Sequence, residues 1–443
     1  MGVLTVTDKL YAHLEQILSL CEPAPLLLGY SGGVDSHLLL CLLNRFVREH
    51  TGFTLQAVHV HHGLNPKADS WARHCEATCA ELGVPLLLER LSINRTPRQS
   101  LEAVARDLRY QAMATHLVSG GYLVTAHHQD DQLETLLLAL KRGSGPRGLS
   151  AMPVSQPFAS GVLLRPLLGI SRAEILAWAS SHGLQWIEDD SNQDSRFDRN
   201  YLRAEIVPRL QQRWPEFAAM ASRSSQLCGE QEQLCEELAH SDLEAVCHPD
   251  GSLTLEGLCR LSTLRRQNLL RHWLRRELAL VPGFDLLQRI WLEVISARPD
   301  ATPELKCGTA WIRRHAHRVY LVPQLPALPT EPLPITLDGE SGGFYLSDGR
   351  HLRWQRGSGG LRKPLAHETV TLRFACRGGE RIRIAGRSGS RSLKKLWQEY
   401  EVAPWLRERV PLIYYGEQLV QAVGYFCAAD AVESHDGVII SVG

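Results

Sequence analysis

The sequence predicts a multidomain protein: an N-terminal α/β domain on a doubly wound parallel sheet, a mainly helical middle domain, and a small α+β domain at the C-terminus. Three observations carry this. Between residue 26 and about 190, short apolar β-type runs alternate with amphipathic helical runs; beyond Trp214-Pro215 the pattern turns to long helical stretches; past a proline-dense segment at 323–334, β-type runs surround a single helical one. The length of 443 residues fits about three domains.

In the first domain, strands are expected at 26–30, 54–60, 85–91 and 122–126. Helices are expected between them at 37–50, 69–82, 100–118 and 130–141, where apolar residues recur at three- and four-residue spacing. Cys75 and Cys79, four apart and continuing the face of Trp71, read as buried helix positions. The middle region predicts helices at 253–280 and 284–296 and then a strand pair about 309–322. Its prolines make 323–334 extended and linker-like. The last region predicts strands at 370–374, 413–415, 419–423 and 438–442 with one helix at 392–400. The expected domains are therefore 1–215, 216–322 and 365–443, with 323–364 as linker and connecting segment.

Composition excludes several classes. Lys plus Arg equals Asp plus Glu at 48 each, so no global field draws the chain to a polyanion, and any such binding uses local patches. The 11 cysteines are scattered with no Cys-x-x-Cys pair, which argues against a disulfide framework, a zinc ribbon or a simple iron-sulfur site. The first 20 residues mix acids and bases without a continuous apolar run, which speaks against a signal peptide or anchor. The expectation is a cytoplasmic protein with no membrane partner.

The most informative segment is Ser31-Gly32-Gly33-Val34-Asp35-Ser36, between an apolar strand and an amphipathic helix. Two glycines let the backbone turn sharply and approach an anion, and the helix N-terminus supplies unpaired amides. No Gly-Lys-Ser/Thr follows, so this is not a Walker A loop. After the strand at 122–126 come Asp131 and Glu134, three apart on one face of a first helical turn, where they could hold Mg²⁺ on a nucleotide or merely complement the helix dipole. His59 and His61 share a strand face. A zinc site there lacks further nearby ligands, so they are read as lining a nucleotide pocket.

Several cationic groups suit phosphate. Arg106 and Arg109 are three apart on one helix, read either as a clamp for phosphate or RNA backbone or as a solvated face paired with Glu102 and Asp107. Arg199 and Arg203 follow an acidic loop containing Asp189, a pattern that suits a cationic small molecule held beside a polyanion or else a polar loop whose Ser191 and Asn192 make turns and caps. In the last domain Arg381, Arg383, Arg387, Arg391, Lys394 and Lys395 form a glycine-punctuated basic segment, anchored by Leu393, Leu396 and Trp397, that suits an RNA backbone.

The hexapeptide is similar to the PP-loop of ATP pyrophosphatases, a Rossmann-like superfamily. Together with His59 to Leu64, Ala126 to Thr135, Lys141-Arg142-Gly143-Ser144-Gly145, Asp189-x-Ser191-Asn192, Arg199-Asn200-x-x-Arg203 and the C-terminal Arg-Gly-Gly-Glu-Arg segment with its Leu393-Lys394-Lys395-Leu396 helix, it makes nearly the whole chain resemble the bacterial tRNA(Ile)-lysidine synthetases. That resemblance implies a C–N ligase. ATP adenylates the 2-oxygen of the wobble cytidine of isoleucine tRNA with a CAU anticodon, releasing pyrophosphate, and the L-lysine ε-amine then displaces AMP.

On this reading Ser31, Gly32, Gly33, Val34, Asp35, Ser36, His59 and His61 bind ATP, and Asp35, Asp131 and Glu134 hold Mg²⁺. Asp35, Asp131, Glu134 and Asp189 are the catalytic candidates, Asp131 and Asp189 being those set against the amine, whose unperturbed pKa is about 10.4. The arginines and lysines named above contact tRNA or phosphate. Expected partners are the tRNA and lysine, with a homodimer left open. Two rivals stand: another PP-loop tRNA modifier such as a 2-thiocytidine synthetase, disfavoured by the missing Cys-x-x-Cys, and a non-catalytic nucleotide- or tRNA-binding protein.

Overall fold

A computed structural model describes residues 6–61, 63, 65–91, 101–188, 196–374 and 380–443. The chain forms two compact units that divide between Cys235 and Glu236.

The first unit alternates helices α1 (Val6–Leu18), α2 (Val34–Glu49), α3 (Ala68–Leu82) and α4 (Leu101–His116) with strands β1 (Pro25–Gly29), β2 (Thr54–His61), β3 (Leu86–Arg90) and β4 (Tyr122–Val124). It continues through α5 (Gln129–Lys141), α6 (Pro146–Leu149), β5 (Ser155–Phe158), β6 (Gly161–Leu164), α7 (Arg172–Ser181), α8 (Asp198–Tyr201) and α9 (Val207–Arg213). The four expected strands and the helices between them are all found. The sequence reading missed α1, the β5–β6 pair and α7, although α7 opens with Ser171 and Glu174 in a reciprocal capping box.

The six-stranded sheet runs β3-β2-β1-β4-β6-β5, parallel except for β5. Alternate residues of β1 face opposite cores. Leu26 and Leu28 pack with Leu38, Leu39, Leu42 and Phe46 of α2 and with Cys75 and Cys79 of α3, while Leu27 packs with Met113 of α4 and with Leu117 just after it. Both cysteines are buried as expected. The order places β1 beside β4 although five elements separate them in sequence. This reversal opens a crevice at the strand C-termini, where such sheets bind ligands.

In the second unit, helices Leu255–Arg260, Thr263–Leu278 and Phe284–Arg289 pack on a four-stranded sheet that includes Ala310–His315 and Arg318–Pro323. The expected single helix at 253–280 is broken. Leu253–Thr254 is a strand, and Ser262 accepts from the Arg265 amide to start a new helix. The C-terminal part is an antiparallel five-stranded sheet around Val370–Arg373, Leu412–Tyr415 and Gln418–Ala422, with helix Leu393–Glu399 burying Leu393, Leu396 and Trp397. Strand Gly437–Val442 joins a separate sheet with the hairpin Ser341–Tyr345 and His351–Gly357. Among the described residues no helix is long and apolar enough to cross a membrane.

Candidate active site

The segment from Ser31 to Ser36 leads from β1 into the first turn of α2 at the switch point. Gly32 has φ +83°, a left-handed conformation, and a Cβ there would run into Ile187 and lie 2.9 Å from Cys75 Sγ. No other residue type suits both demands. The turn is fixed from both sides: the Ile187 amide donates to the Gly32 carbonyl at 2.9 Å, and Ser36 Oγ donates to the Gly33 carbonyl at 3.0 Å while lying 3.0 Å from Ser31 Oγ. Gly33 caps α2 with extended backbone and no side-chain acceptor, so the first-turn amides face the crevice mouth without an internal partner of that kind.

Asp35, in the first turn of α2, meets the start of α5. His128, 2% exposed, lies with Nε2 3.8 Å from Asp35 Oδ1 and 3.4 Å from Asp131 Oδ2. Its backbone amide donates to Asp131 Oδ2 at 3.0 Å, so the residue that caps α5 also ties the two loops together. The sequence reading did not single out His128; its position directly before the acidic turn was the available signal. Burial pushes the Asp35 carboxyl above its usual range, with His128 and Arg172 opposing and Asp131 reinforcing. Asp35 Oδ1 is buried and has no hydrogen-bond partner among the described residues.

Asp131 has the opposite balance. Burial acts to raise its pKa, but His128, His127, the His128 amide and Arg203 outweigh that and hold it below the usual carboxylate range. Glu134, 1% exposed, takes Arg203 Nε at 2.7 Å on one oxygen and Nη2 at 3.0 Å on the other, with Arg199 Nε at 3.4 Å. Arg203 Nη2 also donates to Asp131 Oδ1 at 3.1 Å. Arg199 Nη2 donates to Thr135 Oγ1 at 2.9 Å. Thus Arg199 and Arg203, expected to meet phosphate, stand on the acidic turn of α5. Asp130, the neighbouring acid, is structural: its two oxygens accept from the Arg172 amide at 2.9 Å and Gln211 Nε2 at 2.8 Å.

Asp35 offers a buried oxygen without a donor, and Asp131 lies across His128 from it, which suits a divalent cation that takes one or two carboxylates and completes its shell from phosphates. Glu134 is saturated by guanidinium hydrogen bonds, and among the described residues Asp35, Asp131 and Glu134 do not gather within 4.8 Å as a set.

His59 and His61 are both buried on the α3 side of β2. His59 Nδ1 lies 2.9 Å from the Tyr30 carbonyl and 3.4 Å from Cys75 Sγ, behind the glycine turn; His61 Nε2 lies 3.3 Å from Asp69. Arg106 lies on α4, across the sheet from α2, with its guanidinium carbon 5.4 Å from the centre of the Tyr110 ring; Arg109 acts electrostatically on His127. Asp189 lies outside the described residues, as do Asp190, Ser191 and Asn192. In the second unit the side chains of Arg381, Arg383, Arg387, Arg391, Lys394 and Lys395 are exposed. Arg381 braces its hairpin through Ser390, and Arg387 pairs with Glu399 at 2.6 Å. Arg377 lies outside the described residues.

Family comparisons agree with this layout. A PP-loop domain model matches residues 6–210, a TilS substrate binding domain matches 253–320, and a TilS substrate C-terminal domain matches 370–441. The chain is 48% identical over 409 residues to the tRNA(Ile)-lysidine synthase of Pectobacterium atrosepticum, covering 90% of each chain. It is 46% identical over 439 residues to that of Yersinia pseudotuberculosis, covering 95% of this chain and 94% of the relative. With this identity over at least 90% of the chain and three matching domain models, the chain belongs to the tRNA(Ile)-lysidine synthase family.

Proposed function

We propose that this chain joins L-lysine to C2 of the wobble cytidine of isoleucine tRNA bearing CAU, using ATP and releasing pyrophosphate and AMP. The observation that carries the reading is the meeting of the glycine turn, Asp35 and the acidic turn of α5 at one switch point, in a chain whose relatives bear that name. The rival 2-thiocytidine reading is not favoured.

The chemistry runs in two balanced steps. The cytidine 2-oxygen attacks the α-phosphorus of ATP, the bond to the β-phosphate oxygen breaks, and pyrophosphate leaves. The lysine ε-nitrogen then attacks C2, the C2–O bond breaks, and AMP carries away that oxygen while the amine loses a proton. A bound Mg²⁺ would neutralise phosphate charge. Asp35 and Asp131 are the residues suited to hold it, and the amides of the Gly32-Gly33 turn and α2 suit the leaving phosphates. Asp131, kept ionised, is suited to receive or orient the amine. Arg203, whose guanidinium spans Glu134 and Asp131, fixes the direction in which Asp131 points. Arg199 belongs to the same brace. The exposed C-terminal cations suit the tRNA backbone, which single-stranded recognition of the anticodon loop leaves free to be gripped elsewhere.

The test is direct: purified protein, ATP, Mg²⁺, radiolabelled lysine and an unmodified isoleucine tRNA transcript bearing CAU, beside a methionine tRNA. Label on the first RNA alone is expected; label on neither or both refutes the reading. The same reading makes the enzyme cytoplasmic, and light scattering of the purified chain separates monomer from homodimer.

A further inference from the structure

The α4 face of the sheet carries a second cavity that the chemistry above does not use. It is about 420 Å³, within the roughly 300–1,000 Å³ usual for small-ligand sites, and lies between α4 and the β5–β6 pair. Its walls combine two arginines, Arg106 and Arg165, with one acid, Asp107, so cations exceed anions by one, and they add the rings of Tyr110 and Phe158 and the side-chain amides of Gln111 and Gln156. The rings stand edge to face, 5.7 Å apart at 66°. Arg165 is 4% exposed. Its Nη1 donates to the Pro153 carbonyl at 2.8 Å, but Nε is buried with no hydrogen-bond partner among the described residues. A buried guanidinium with an unmet donor on a cavity wall is costly unless an anion completes it.

Which anion follows from position and lining. The triphosphate cradle stands at the N-terminus of α2, and α2 packs on one face of the sheet while α4 packs on the other. Rings and side-chain amides beside the cations exceed what a bare phosphate needs, and they match a nucleobase, which stacks on rings and pairs its edge with amides. The cavity is still tied to the reaction through the sheet: Arg165 directly follows β6, whose Leu164 carbonyl accepts from the Thr125 amide at 3.0 Å, and Thr125 Oγ1 lies 2.9 Å from His127 Nδ1, just before the acidic turn of α5.

We propose that this cavity receives an unpaired nucleotide flanking the wobble cytidine, with its phosphate on Arg106 and Arg165 and its base against Tyr110 and Phe158. The site holds the anticodon loop open from the face opposite ATP, so that the target base reaches the crevice. This rests on the tRNA reading above. It goes further in assigning Tyr110, Phe158 and Arg165 a substrate.

The experiment is fluorescence titration of the full-length protein with a labelled anticodon stem-loop bearing CAU, over a series of salt concentrations, with ATP binding measured alongside. Arg106→Gln is expected to weaken stem-loop binding about ten-fold and flatten the log–log salt slope by about 0.7, one phosphate contact on a single strand. Phe158→Ala is expected to weaken it about ten-fold with the salt slope unchanged, as stacking requires. Both leave ATP affinity as in the unsubstituted protein. Arg165→Lys, checked by its melting temperature because the residue is buried, keeps the charge and is expected to retain most of the salt slope. Stem-loop binding within two-fold of wild type for both Arg106→Gln and Phe158→Ala overturns the proposal, as does an equal loss of ATP affinity, which would assign the cavity to the triphosphate. Failure of the unsubstituted protein to make lysidine would instead refute the function, a result that this binding measurement does not share.

Discussion

Two regions of this molecule handle charge in opposite ways. In the crevice of the first unit, Glu134 is buried and Asp35 and Asp131 are partly so, and all three are answered by a few fixed partners, His128, Arg199 and Arg203, at 2.7 to 3.8 Å. In the C-terminal hairpin of the second unit and the helix that follows it, the cations from Arg381 to Lys395 stand in solvent. The first arrangement keeps a geometry, which chemistry on one phosphorus atom and one carbon needs. The second keeps a field, which suits a long polyanion gripped without reading its bases, and salt weakens it.

The largest effects should fall in the crevice. Asp35→Asn is expected to lower turnover at least ~10³-fold while tRNA binding persists. It should not lower the melting temperature, because burial already disfavours the ionised carboxyl and its Oδ1 has no internal donor to lose. Steady-state kinetics, a filter-binding assay and a thermal melt read the three. Arg203→Met leaves Glu134 buried with its main partner gone, and denaturant titration should show a loss of about 3–5 kcal/mol, with Arg203→Lys recovering part. Stability unchanged in Arg203→Met would mean that the crevice charges are held no more firmly than those of the hairpin.

Intermediate effects separate the loop from the hairpin. Gly32→Ala forces a side chain into a left-handed turn against Ile187 and Cys75, and should raise the ATP KM about ten-fold with little change in tRNA affinity. The double substitution Lys394→Gln, Lys395→Gln should do the reverse, weakening tRNA about ten-fold at moderate salt and lowering the salt slope by about 1.4 to 1.8, two phosphate contacts' worth. If the lysine pair instead moved the ATP KM, the division of labour between the two regions would fail.

The smallest effect is a control within the second unit. Glu368, clamped by Arg362 at 2.6 and 2.7 Å, has its carboxyl lowered to about 2, chiefly by those hydrogen bonds. Its folded pKa lies below the unfolded value of about 4.3, so its contribution is complete above that value and is lost as pH falls toward about 2. Glu368→Gln should remove at most about 1 kcal/mol and flatten acid unfolding over that window, while lysidine formation at neutral pH is unchanged.

How much of this was legible in the sequence differs between the same regions. Strands 26–30 and 122–126 and the glycine turn are local signals, and the crevice follows from their alternation with helices. The interior of the crevice does not. That Arg203 would lie on Glu134 depends on a fold-back of 69 residues, which no local spacing encodes, and i, i+4 arithmetic left Arg199 and Arg203 as phosphate ligands in waiting. His128 hid behind its acidic neighbours because its role is set by Asp35, on another helix. The break at Ser262 was missed because the apolar period runs through it, although a serine before a helical run was a readable cap. The hairpin at 341–357 pairs with a strand some 80 residues later, and its Gly342-Gly343 start reads as loop until Trp354 is seen filling the space.

The measurement that tests the central claim most directly omits lysine. Protein, Mg²⁺ and ATP labelled in the α-phosphate are mixed with isoleucine tRNA bearing CAU, the RNA is isolated, and lysine is then added. The crevice as read here predicts label on the tRNA before lysine and its release as AMP afterwards, with Asp35→Asn giving neither. Label appearing on lysine rather than on RNA, or pyrophosphate release that does not depend on the tRNA, would contradict it.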